Sequence, residues 1–184
     1  ILPLSAQKYI NEDIAIFEVL VKKYKMPIKN KNLSNLAVSV SNLKIMEANA
    51  VDLNEIEMTP YVLKNVEVLN YLVFDKELDL SQKKVEGSFP KSVLYHLVPY
   101  ANDKSYNRIL LWLLEKGYDE KEASEIKLLL RNAIVGDNCE LLQLLIENKL
   151  KLPFDDKAVS QTIEENKPFC VNLLCKMGYT YKKS

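Results

Sequence analysis

The sequence predicts an all-α protein, a solenoid of stacked short helix pairs, and three observations lead there. Apolar residues recur at helical spacing, one apolar helix pattern returns at intervals of about thirty residues, and the few glycines sit just behind those helices. Leu141, Leu142, Leu145 and Ile146 follow the i, i+1, i+4, i+5 spacing of a buried helix face. Ile109, Leu110, Leu113 and Leu114 do the same, and Val171, Leu174 and Cys175 do so more weakly. Alternation over strand length is scarce. Its best instance, Val38-Ser39-Val40-Ser41, reads equally well as helix.

The repeat comes next. Residues 109–119 resemble residues 141–149 and 171–180, which places Leu113, Leu145 and Leu174 in equivalent positions, 32 and 29 residues apart. Residues 66–73 and 16–21 look like two more copies, and residues 43–46 like a fainter third. These leucines are expected to be buried between neighbouring units. Only four glycines occur. Gly117 and Gly178 follow the second helix of their units, where a left-handed residue closes a helix without a Cβ clash. Gly136-Asp137-Asn138 reads as the turn between two helices, with the Asp and Asn side chains expected to cap the N–H groups of the incoming one.

Composition excludes several classes. Hydrophobic residues make up 48% of the 184, enough for a core. The 25 Lys and Arg balance the 25 Asp and Glu, so no net charge draws the chain to nucleic acid or an anionic membrane. The lysine run Lys22, Lys23, Lys25, Lys29 and Lys31 reads as a solvated loop, since Tyr24 alone accompanies it. The apolar run 109–114 is too short to span a bilayer, and no signal peptide pattern is seen. The chain opens at Ile1 without a methionine, as an excerpt of a longer chain would.

Chemistry-bearing motifs are sparse. His96 is the sole histidine, so any Ser-His-Asp or Cys-His arrangement must use it. Cys139, Cys170 and Cys175 are an odd, sparse set and read as small buried hydrophobes in a reducing compartment rather than a disulfide framework. Cys170 and Cys175 lie five apart, outside the spacing of paired zinc ligands. No glycine-rich phosphate loop is present. Glu120, Glu122 and Glu125 cluster where acids favour a helix start. No catalytic, cofactor-binding or metal-ligating residue is therefore assigned, and the chain is read as a non-enzyme.

The repeat residues carry a family resemblance. Leu2-Pro3-Leu4-Ser5, Thr59-Pro60-Tyr61 and, more loosely, residues 92–97 look like unit openings. Leu130, Ala133 and Ile134 fall where a first-helix leucine and paired alanines stand, and Gly117-Tyr118-Asp119 matches a Gly-Ala-Asp ending. The chain resembles the ankyrin-repeat family, whose period is about 33 residues. The match is good from about residue 89 onward and poor between residues 30 and 82, and it covers five or six degenerate units. Their bounds are approximately 1–29, 30–55, 56–88, 89–122, 123–154 and 155–184, within one repeat domain over 1–184. Longer, more equal helices would be required of tetratricopeptide or HEAT-like arrays.

The resemblance implies a cytoplasmic module or scaffold that binds another protein through a concave and loop surface, or a host-directed effector delivered into a host cytoplasm if the source is a pathogen. The alternative is a helical regulatory or substrate-positioning domain of a larger enzyme. In the ankyrin register Tyr95, His96, Tyr100, Arg131, Asn132, Val135 and Gln161 face the partner from the first helices, while Leu94, Leu97, Leu130, Ala133, Val159 and Ile163 face the core. Residues 101–105 are extra relative to the family pattern, and insertions tend to collect on the binding face.

Overall fold

The structure, a computed structural model, describes Val19, Ser34, residues 36–85, 91–117 and 123–150, Ser160, residues 162–164 and 166–176, and Gly178. The described chain is predominantly helical and falls into two compact units, 1–91 and 92–184.

In the first unit, helix α1 (Val40–Ala48) starts at Ser39, whose hydroxyl accepts the Asn42 N–H at 3.1 Å. The region with strand-like alternation is thus a capped turn entering a helix. Helix α2 (Pro60–Leu63) opens on Thr59 with proline at its first position, where a missing N–H costs nothing. It is only four residues long. Asn65 then caps α3 (Val66–Asn70), accepting from Glu67 and Val68 N–H, and α3 widens into a π-helical turn at Tyr71–Asp75. Strand β1 (Lys84–Val85) is two residues long, a small exception to the helical expectation.

In the second unit, α4 (Val93–Leu97) runs into a 3₁₀ segment, Val98–Asn102. Helices α5 (Asn107–Lys116), α6 (Ala123–Val135), α7 (Cys139–Glu147) and α8 (Pro168–Lys176) follow. The starts of α5, α7 and α8 reproduce the 32- and 29-residue spacing read from the leucines. Helix α7 packs between α5 and α8, and the 3₁₀ segment packs on α6. Leu113, Leu145 and Leu174 are buried in that stack, with Leu110, Leu130, Ala133, Leu141 and Leu142. Truncating Leu145 to alanine is expected to cost about 2–5 kcal/mol through lost apolar burial and a cavity, read as a lower urea midpoint. Coincident midpoints would refute its place in the core.

The helix ends explain the repeated left-handed residues. Gly117 and Gly178 have φ of 95° and 92°, as expected. Ala50, Asp137, Lys149 and Asn166 are also left-handed, and each closes a helical segment in the Schellman manner. The N–H of the next residue reaches back five: Val51 to Met46 O, Asn138 to Ala133 O, Leu150 to Leu145 O, and Lys167 to Thr162 O. The left-handed residue of the 136–138 turn is therefore Asp137, not Gly136.

Four expectations are corrected. Ile163, assigned to the core, is exposed; Val159 lies outside the described residues. Asn138 makes no side-chain cap to α7. Cys139 and Cys170 are not buried free thiols but a disulfide, with Cα atoms 5.5 Å apart, within the normal range for such bridges. Cys139 opens α7 and Cys170 is the third residue of α8, so packing α8 on α7 brings the sulfurs together. Cys175, expected in the core, is free and exposed.

Candidate functional site

Among the described residues, helices α2, α4 and α6 and the helical segment before α8 carry most of the large exposed apolar side chains. Tyr61 on α2 is 70% exposed, Tyr95 on α4 37%, Leu128 and Val135 on α6 47% and 49%, and Ile163, in the helical segment before α8, 41%. Among the described residues the other large exposed apolar side chains are Val19 and, on α8, Phe169. An exposed leucine or valine is ordinary alone; their concentration on one class of helix is informative. On α6, Ser124, Leu128, Arg131 and Val135 are all exposed at i, i+4, i+7 and i+11, one stripe of a helix. The opposite stripe, Ile126, Leu130, Ala133 and Ile134, is buried.

The seven residues read as a partner surface take different roles. Tyr95, Arg131 and Val135 are exposed. His96 is half-buried, stands edge-on to the Tyr95 ring at 5.2 Å, and has a buried Nε2 without a hydrogen-bond partner. Burial lowers its pKa, favouring the neutral imidazole. Tyr100 stacks on the buried Tyr106 at 4.8 Å. Burial, with the Tyr100 and Asp103 charges adding, pushes the Tyr106 phenol up to about 12. Asn132 spends its amide on the Val98 carbonyl at 3.1 Å, tying α6 to the 3₁₀ segment. Gln161 lies outside the described residues. Leu128 escaped the reading of the residues because it begins the run Leu128-Leu129-Leu130, in which every position looks like core.

The extra residues 101–105 form a junction. Ala101 is buried, and its carbonyl accepts from Asn138 Nδ2 at 2.8 Å. Asn138 also exchanges hydrogen bonds with Asn107, donating at 2.7 Å and accepting at 3.2 Å. In the first unit Asn65, likewise just before a second helix, donates to Val38 O, 27 residues upstream, at 2.8 Å. Asparagines before second helices thus clasp the backbone of earlier segments, a role invisible to hydrophobic periodicity.

A second feature, also missed, lies in the first unit. A hollow of about 470 Å³ is lined by Val40, Lys44, Glu67, Asn70, Tyr71, Asp75 and Lys76. Glu47 accepts from Tyr71 Oη at 2.6 Å and pairs with Lys76 at 2.5 Å. Burial works to raise the Glu47 carboxyl, but the Lys76 and Tyr71 hydrogen bonds outweigh it and hold it below its ordinary value. Lys44 and Lys76 lie 5.9 and 5.3 Å from the Tyr71 ring centre, within cation–π range. This partly exposed network braces α1 against the π turn, with two lysines facing its one carboxylate.

Asp137, Cys139 and Cys170 place three donor atoms within 4.8 Å of one another, the one such group among the described residues. With both sulfurs in a disulfide they offer no thiolate to a metal. No protein-family profile, curated protein or solved structure matches this chain.

Proposed function

We propose that this chain is a protein-binding module of ankyrin type, whose first helices present the contact surface to another protein. One observation carries the reading: five of the seven exposed large apolar side chains among the described residues, four of them in the second unit, lie on the helices read as first helices, whose opposite stripe is buried. An apolar stripe holding an arginine has the composition of an interface centre, where a few aromatic, aliphatic and arginine anchors supply most of the binding energy. Stacked helix pairs suit the role because each pair buries its face on its neighbours and leaves the other elements free to vary. The fold class alone does not specify a partner.

Affinity capture followed by titration with the captured protein tests this reading. Leu128→Asp and Arg131→Glu are expected to weaken binding tenfold or more, the scale of losing one anchor. Glu147→Lys, an exposed change on the second helix α7, is expected to bind as the parent does. All three positions are exposed, so each variant should remain folded. Loss of binding by Glu147→Lys alone would refute the assigned face.

A further inference from the structure

We infer that the docking of α8 is redox-latched: the Cys139–Cys170 disulfide holds this helix on α7, and reduction of the bond releases it. The observations are three. Helix α8 has a narrow hold, since Cys170, Leu173 and Leu174 are its buried residues and one of them is the bridged cysteine itself. Five others, Pro168, Phe169, Asn172, Cys175 and Lys176, are exposed. The bridge closes a separation of 31 residues, a loop long enough for the cross-link to remove much freedom from the released state. Both bridged cysteines are buried, so a reductant reaches the sulfurs only when α8 lifts.

Undocking and reduction are therefore one coupled process, and each favours the other. In the docked, oxidised form the Lys167 ammonium also sits 3.4 Å from the Asp137 carboxylate, closing the polar side of the same junction. Asp137 Oδ1 lies 3.8 Å from Cys139 Sγ.

The reductant is a dithiol. One of its thiolates attacks a bridge sulfur and gives a mixed disulfide; its second thiolate then displaces that sulfur. The Cys139–Cys170 bond breaks, the two sulfurs take up two electrons and two protons, and the dithiol leaves as its own disulfide. Cys175 is not a partner in this exchange.

The test combines thiol counting with amide hydrogen exchange on the full chain, using dithiothreitol as the dithiol. Under denaturing, non-reducing conditions one titratable thiol is expected before reduction and three after. Amides of α8 are expected to exchange about tenfold faster or more after reduction, while those of α6 keep their protection. Cys170→Ser should show the fast α8 exchange with or without reductant, and Cys175→Ser should respond to reductant as the parent does. Three free thiols before reduction would overturn the inference. So would unchanged α8 exchange on reduction, or stoichiometric zinc released from Cys139 and Cys170 by a chelator, which would make the pair a metal centre instead.

Discussion

Replacing Asn138 by alanine is expected to destabilise the second unit by about 2–4 kcal/mol, measured as a lower urea or thermal midpoint. Asn138 is 0% exposed and Asn107 4%, so neither amide reaches water. Asn138 donates to Ala101 O and Asn107 Oδ1 and accepts from Asn107 Nδ2. Alanine removes all three bonds at once. It leaves a carbonyl and a primary amide buried without those partners, and that desolvation penalty exceeds the modest net gain of the original bonds. The pairing makes a sharper claim. Asn107→Leu and Asn138→Leu should each be costly, whereas the double variant should cost at least about 1 kcal/mol less than their sum, because it leaves neither amide behind. Strict additivity would show that the two asparagines do not act as a pair. Asn138→Asp should be worse than alanine at neutral pH, since it places a carboxylate against two oxygen acceptors in a buried site.

What could be read from the residues follows from what periodicity encodes. Leu113, Leu145 and Leu174 were legible because α5, α7 and α8 each bury an apolar face, and that demand appears directly as spacing. The left-handed conformations of Gly117 and Gly178 were legible because glycine tolerates them without a Cβ clash. The same backbone need at Ala50, Lys149 and Asn166 was hidden, because these residues accept the strain where the Schellman bonds repay it. Pairing of Cys139 with Cys170 depends on how two helices meet across a chain separation of 31 residues, which no local pattern records. Ile163 looked like core because it is apolar on a helix, yet its side chain is turned outward. Tyr95, Arg131 and Val135 are exposed, as the ankyrin register implied. Leu128 was missed, since phase is ambiguous inside a run of three leucines.

Gly136→Ala is expected to cost about 2–3 kcal/mol, more than Gly117→Ala, for a different physical reason. At Gly117 an added Cβ meets nothing within 4 Å, and the penalty is the left-handed φ of 95°, about 1 kcal/mol for a residue with a Cβ. At Gly136 the backbone is not left-handed, but an added Cβ would stand 2.2 Å from Asn102 Cβ and 2.7 Å from Asn102 Cα. The second of these atoms is backbone, so no rotamer change relieves the overlap, and the 3₁₀ segment must move away from α6. That displacement strains the Asn132–Val98 bond and the Asn138–Ala101 bond, which span the same junction. Removing the Asn102 side chain should therefore rescue Gly136→Ala only in part: Asn102→Gly eliminates the contact with Cβ and leaves the one with Cα. Thermal midpoints of the parent, both single variants and the double variant decide the matter. Full rescue would place the conflict in the side chain alone, and a Gly136→Ala variant as stable as the parent would show that α6 and the 3₁₀ segment do not approach this closely.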